Sequence, residues 1–136
     1  MATGTMSLDQ PRHSDFISLF INKALLLAGG VDVVQPDVFG AGGLTECKRI
    51  AGMADAFHKA ATPHVSVGSA IHFAASVHLA AATPKQTWME FWCGSNPLGN
   101  AILPKPFRIE DGSFWVPDGV GLGIDIDEEA VRRYAI

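Results

Sequence analysis

The sequence predicts an α/β fold built around a parallel sheet, and three observations carry that expectation. From Asp15 onward, helix-type and strand-type patterns alternate with short connections, the order expected of β/α proteins. At 136 residues and 48% hydrophobic content, the chain is about one domain, long enough to bury a core. Three side chains able to do chemistry mark the ends of the expected strands, Asp37 after the first, His64 after the second and Glu90 at the end of the third. Functional groups of parallel sheets gather at those carboxyl ends.

Residues 1–14 are small, polar and unpatterned, and are expected to be a disordered leader or tag remnant. Asp15 to Ala28 reads as a helix, with Ser14 or Asp15 as its N-cap and Gly29-Gly30 as its stop. Val31 to Gln35 is a short β-branched run ended by Pro36, hence a strand. After a glycine-containing loop, Leu44 to Phe57 spaces Leu44, Cys47, Ile50, Ala51, Ala54 and Phe57 along one helix face. Thr45-Glu46 stand where caps and first-turn acids belong. Lys59 to Thr62 is a weak strand ended by Pro63-His64. Ser69 to Ala82 is a third helix, with Ile71, Ala74, Ala75, His78 and Ala82 as the expected buried stripe, stopping before Pro84. Gln86 to Glu90 is the third expected strand. Beyond it the chain becomes rich in proline turns. Asp111-Gly112 signals a hairpin between Phe107–Ile109 and Phe114–Val116, and a short helix opens at Asp127-Glu128-Glu129.

Charge and composition exclude several functions. A net charge of −4, with ten Lys and Arg spread thinly, gives no basic stripe for nucleic acid. The best apolar run, Phe16 to Ala28, is broken by Asn22-Lys23 and is too short for a membrane span. Asp9 and Asp15 beside Arg12 do not make the basic lead-in of a signal peptide. Cys47 and Cys93 form no disulfide framework and no CxxC, so a cytoplasmic, soluble chain is expected. Asp37, between a proline and a glycine-rich loop, could serve as a turn residue alone. His58 and His72 are expected at the surface, and His78 is expected to pack or to make a structural hydrogen bond. His72 and His78, six apart on one helix, point to different faces and cannot share a metal. Trp88, Trp92 and Trp115 are expected to fill core or interface, and Cys93 to be inert.

Several strings occur in a telling order: Val31-Asp-Val-Val-Gln-Pro-Asp37, Gly42-Gly43-Leu-Thr-Glu-Cys-Lys-Arg-Ile-Ala51, Pro63-His64, His78-Leu-Ala-Ala-Ala-Thr-Pro84, Glu90, Gly112 to Pro117, and Gly121-Leu-Gly-Ile-Asp-Ile-Asp127. Together they resemble the enolase superfamily, in its mandelate racemase/muconate lactonizing enzyme group, and within it the acid-sugar dehydratases. The resemblance implies a partial (β/α)8 TIM-type barrel. Residues 15–90 would supply the last three β/α units, and residues 91–136 a C-terminal segment with the hairpin and short helix. The capping domain and first five strands of that family have no counterpart in the match.

The resemblance also implies the chemistry: proton abstraction from the carbon next to a carboxylate, giving an enediolate held by Mg²⁺, followed by loss of water or reprotonation. It assigns His64 as general base or acid, Asp37 as the group that orients His64 and raises its basicity, and Glu90 as the acid that hydrogen-bonds the substrate carboxylate. The family's Mg²⁺ ligands lie on strands three to five and the Lys-x-Lys of the racemase branch on strand two, so no metal is expected to be held by this chain alone. Two departures stand out. His58-Lys59-Ala-Ala-Thr62 replaces the usual helix-ending glycine and apolar strand, leaving α-helix and strand weakened, and Val120 stands where the family commonly has proline. The expected function is a lyase or isomerase fragment, inactive alone, acting in full length on a sugar acid or other carboxylate. The alternative is a non-catalytic oligomerising or ligand-binding module derived from the barrel. Two open sheet edges imply self-association in either case.

Overall fold

The computed structural model describes residues 13–65, 67–85 and 88–135. Of the expected leader, residues 1–12 lie outside the described residues, and His13 and Ser14 already belong to the first helix, α1 (His13–Leu27). Ser14 and Asp15 are thus inside α1, and neither is its cap, since a cap needs non-helical backbone. The helix ends as expected at Gly29, which takes a left-handed φ of 68°.

Next come β1 (Val33–Val34), α2 (Gly43–Ala56) and β2 (Ala60–Ala61), a right-sized β/α/β crossover. The two strands pair in parallel, Val33 opposite Ala60 and Val34 opposite Ala61. Backbone bonds extend the ladder on both sides: Ala60 N–H to the Asp32 carbonyl at 3.1 Å, Thr62 N–H to Val34 at 3.0 Å, and His64 N–H to Pro36 at 3.1 Å. Over this ladder α2 buries Cys47, Ile50, Ala51 and Ala54, which pack with Leu26, Val34, Ala61 and Leu79. Leu44 and Phe57, the outer members of the expected stripe, lie at the helix ends and stay exposed. The helix begins at Gly43, one residue before the expected Leu44, and Glu46 is a first-turn acid that pairs with Arg49.

The end of α2 corrects an expectation. The helix stops without a glycine: His58 itself takes the left-handed conformation (φ 57°). Its N–H bonds the Asp55 carbonyl at 2.9 Å, and the Lys59 N–H reaches back to Ala54 at 2.9 Å, a Schellman-type closure.

Helix α3 (Ala70–Ala81) buries far more than one stripe: Ala70, Phe73, Ala74, Ala75, Ser76, Val77, Leu79 and Ala80. Ile71 and Ala82, expected inside, are exposed. A helix of small side chains packed on several sides has no single apolar face for periodicity to reveal. The third expected strand does not form among the described residues. Gln86 and Thr87 lie outside them, and Trp88 to Glu90 is irregular. Two side-chain contacts tie this stretch to the β2 segment: Thr62 Oγ1 donates to the Trp88 carbonyl at 3.2 Å, and Val65 N–H donates to Glu90 Oε2 at 2.6 Å. Among the described residues the parallel sheet is the two-stranded β1–β2 pair.

The rest of the chain wraps the end of α3. Helix α4 (Pro97–Ala101) is capped by Asn96, whose side chain accepts from Gly99 N–H at 2.9 Å. Strands β3 (Ile109–Glu110) and β4 (Ser113–Phe114) form the expected antiparallel hairpin, turning through Asp111 (φ 48°) and Gly112 (φ 71°). Positive φ at both central residues is the type I′ signature, which Asp-Gly fits. Helix α5 (Glu128–Tyr134) starts at Asp127, whose side chain caps Ala130 N–H at 3.0 Å. Phe73 of α3 meets Phe91, Phe107 and Phe114 edge-on, with ring centroids 4.7–5.5 Å apart. These phenylalanines fill the second core. Trp88, Trp92 and Trp115 do not; they are 56%, 46% and 51% exposed, and Trp115 lies under the Arg108 guanidinium at 4.0 Å. No helix among the described residues is long and apolar enough to cross a membrane.

Two stability outcomes follow. Ile50, fully buried, should cost about 2–5 kcal/mol when cut to alanine, read as a lowered urea midpoint. The left-handed backbone at His58 is unfavourable for a residue with a Cβ by about 1–2 kcal/mol, partly offset by glycine's greater freedom when unfolded. His58→Gly should therefore raise stability by about 0.5–1 kcal/mol in the same assay, and a loss would contradict the closure described.

Candidate active site

The ladder brings two of the three expected residues together. Asp37 follows Pro36 at the carboxyl end of the β1 segment, and His64 follows Pro63 at the end of the β2 segment. The His64 N–H to Pro36 carbonyl bond is the last rung before both side chains. His64 Nδ1 lies 2.9 Å from Asp37 Oδ2. An ionised carboxylate only accepts, so Nδ1 carries the proton and the Nε2 lone pair is the free one. Nε2 faces Glu90 Oε2 at 3.9 Å, beyond hydrogen-bond distance. His64 and Glu90 are about equally open, 42% and 39% exposed, so a molecule can reach between them.

The two oxygens of Asp37 make different contacts. Oδ1 accepts Phe39 N–H at 2.7 Å and Gly40 N–H at 3.0 Å, which fixes the turn after the strand. Oδ2 holds His64. Burial is the strongest single influence on this carboxyl and pushes it toward the protonated form. The His64 bond, the Gly40 and Phe39 N–H groups and the charge of His72 together outweigh it, and Asp37 is held below the ordinary aspartate value. Glu90 is placed not by a strand but by its own Oε2, which accepts the Val65 N–H.

One residue was missed. His72, expected at the surface, has a side chain only 8% exposed, with Nε2 3.4 Å from Asp37 Oδ1. That separation is within reach of a charge interaction, but the N–H direction is not aligned, and Nε2 has no hydrogen-bond partner. Gly68 makes the space: a Cβ there would fall 1.9 Å from His72 Nδ1 and 2.8 Å from its Cβ. A glycine four residues before a histidine at a helix start was the available signal. His78 meets its expectation, with Nε2 bonding the Leu122 carbonyl at 3.1 Å. His58 is exposed, also as expected. Behind the site, burial, with Asp37 and Glu46 adding to it, pushes the Cys47 thiol up to about 12, so it stays protonated and unreactive. Cys93 is exposed.

Among the described residues no group of three or more His, Cys, Asp or Glu could hold a metal ion. The two nearby carboxylates accept from N–H donors, Asp37 from three groups and Glu90 from Val65. They do not offer the converging oxygens that Mg²⁺ asks for, so this set does not fit that ion. A cleft of about 250 Å³ opens nearby, lined by Val65, Gly68, Phe73, Phe91, Trp92 and Asn96 among others. Asp37, His64 and Glu90 are not part of its lining.

Residues 16–130 match the model of the enolase C-terminal domain-like family. The chain is 36% identical over 117 residues to the D-galactarolactone cycloisomerase of Agrobacterium fabrum, covering 80% of this chain and 31% of that protein. It is 36% identical over 121 residues to the D-galactonate dehydratase of Xanthomonas euvesicatoria pv. vesicatoria, covering 85% of this chain and 32% of that one. The crystal structure of the 3,6-anhydro-D-galactonate cycloisomerase from Zobellia galactanivorans superposes with a TM-score of 0.77 at 35% identity, over 85% of this chain and 32% of that chain. That of a mandelate racemase/muconate lactonizing enzyme from Sulfitobacter sp. gives 0.71 at 31% identity, over 80% and 27%. The chain thus spans about a third of the length of the curated relatives it matches.

The depressed Asp37 carboxyl predicts a pH signature. Its ordinary value is 3.8 and its folded value lies lower. Between the two, the unfolded chain binds more protons, so stability falls as pH falls through that window and is full above it. Asp37→Asn should be less stable than the parent at neutral pH by about 1–3 kcal/mol. In urea unfolding followed by circular dichroism, the gap should shrink steadily below about pH 4. A gap that stays constant into strong acid would contradict the ionised Asp37–His64 pair.

Proposed function

The chain belongs to the enolase C-terminal domain-like family, the C-terminal part of enolase-superfamily enzymes of the mandelate racemase/muconate lactonizing group, and on that premise we propose that it carries the acid/base half of a sugar-acid dehydratase or racemase site. Enzymes of this superfamily are Mg²⁺-dependent as a rule. In this reading the metal belongs to the other segments of a full-length enzyme.

His64 Nε2 takes the proton from the carbon beside the substrate carboxylate, and the C–H electron pair moves into the enediolate. Asp37 holds the imidazole by Nδ1 and stabilises the imidazolium that forms. That imidazolium is the acid that can hand the proton back, to carbon in an isomerisation or to a departing hydroxyl in a dehydration. Glu90 lies across from Nε2 and meets the substrate carboxylate as charge builds on it. To donate there it must carry a proton, on the oxygen not bonded to Val65 N–H. The observation that supports this reading above all is the 2.9 Å Nδ1–Oδ2 bond with Nε2 left open toward Glu90. The substrates named for its relatives, D-galactonate and D-galactarolactone, make a polyhydroxy acid or its lactone the substrate class to test.

The chain alone should neither dehydrate D-galactonate nor bind Mg²⁺ in calorimetry; saturable micromolar Mg²⁺ binding would overturn the assignment of the metal to other segments. In a chimera where residues 16–130 replace the matching segment of a Xanthomonas D-galactonate dehydratase, His64→Asn should lower kcat by about 10²–10⁴-fold. Glu90→Gln should lower it by about 10²–10³-fold. A chimera that dehydrates galactonate equally well with His64→Asn would remove His64 from the reaction. Phe20 and Phe39 are 71% and 90% exposed, and such apolar groups favour association. Light scattering of the purified chain should therefore show dimers or larger species, and a monodisperse monomer counts against self-association.

A further inference from the structure

The Asp37 carboxylate is flanked by two imidazoles, and the chemistry above uses only one of them. His64 bonds Oδ2, while His72 approaches Oδ1 at 3.4 Å from the first turn of α3. His72 Nε2 is buried and has no hydrogen-bond partner, an arrangement that weakens a fold unless the nitrogen answers a charge. The ring is held there by the absence of a side chain at Gly68, against which it is wedged. A carboxylate can fully support only one neighbouring cation; two imidazoles beside it share its field and titrate as a linked set.

We propose that His72 is a positioning residue: it holds the Asp37 carboxylate by the oxygen that His64 does not use and draws on the same negative charge, so that it sets how tightly His64 holds its proton. The proposal rests on the reading of His64 as the base, but its consequence is a matter of protons and can be read without turnover. The groups facing this pair are few. The turn after β1 brings Asp37, the segment after β2 brings His64, and Trp88 to Glu90 brings the Glu90 carboxyl at 3.9 Å from His64. From α2 come Cys47, neutral because its thiol is pushed up to about 12, and Glu46, paired with Arg49. Asp37 is thus the one close anion that both imidazoles share among the described residues.

The test is a histidine NMR titration of the whole chain, comparing the parent with His72→Gln, His72→Asn, His64→Gln and, as a control at the exposed turn, His58→Asn. With either substitution at His72, the His64 midpoint should move up relative to the parent by about 0.5–1 pH unit. Linkage is reciprocal, so His64→Gln should move His72 upward by a similar amount. His58→Asn should move neither. Should both His72 variants fail to fold, the His64→Gln arm at the more exposed residue still decides, because His72 must shift there if the two share Asp37. An unmoved His64 in folded His72→Gln, or an unmoved His72 in His64→Gln, overturns the proposal and leaves His72 a packing residue. Intact coupling in a chimera that does not turn over galactonate would strike the proposed function and spare this one; lost coupling in an active chimera would do the reverse.

Discussion

The parallel register of β1 against β2 governs where Asp37 and His64 stand. With Val33 opposite Ala60, the rungs run on to the Pro36 carbonyl and the His64 N–H, and the next residue of the first strand is Asp37. Side chains in a strand alternate between faces, so a slip of one residue would send His64 to the other side of the sheet from Asp37. The regular pairing is short, and two prolines, Pro36 and Pro63, end the strands at the same level. Proline cannot extend a ladder by its own N–H, so the ladder closes where the chemistry begins.

Holding so short a ladder in place is the work of the helices. α2 covers it with Cys47, Ile50, Ala51 and Ala54, and α3 supplies Leu79 to the same core. The small residues of α3 permit close approach on several sides, so this helix also reaches Phe107 and Phe114 through Phe73 and Val77, and Ile102 and Ala130 through Ala70. α3 therefore joins the sheet-side core to the C-terminal hairpin and helix. The same helix carries His72, which ties the packing of the molecule to the environment of Asp37.

How much of this was legible in the sequence varied with how local the governing force was. Gly29, Asp111-Gly112 and Asp127 act through their own backbone neighbours, and each did what its residue type predicts. That Asp37 and His64 meet was legible because a strand, a proline and then a polar side chain recur twice with a helix between. The stop at His58 was misread, because a left-handed histidine is a choice that only the closing bonds to Ala54 and Asp55 make worthwhile. Of the third expected strand, Trp88-Met-Glu90 is irregular among the described residues, and a run of this kind looks the same in sequence whether backbone or side chains tie it to its neighbour. His72 was missed for a related reason: its burial depends on Gly68 and on a turn 35 residues away, neither of which periodicity reports.

The three tryptophans have an optical consequence. Each is about half open to water, and an indole in water emits at long wavelength whether or not the chain around it is folded. Trp88 and Trp92 flank Glu90, and Trp115 lies beneath Arg108 on the hairpin. Intrinsic fluorescence would therefore change little in colour as the domain unfolds, leaving circular dichroism to follow folding. It would turn blue, though, when another protein surface or a bound molecule covers the Glu90 edge, so the native protein carries a built-in dye for contact rather than for folding.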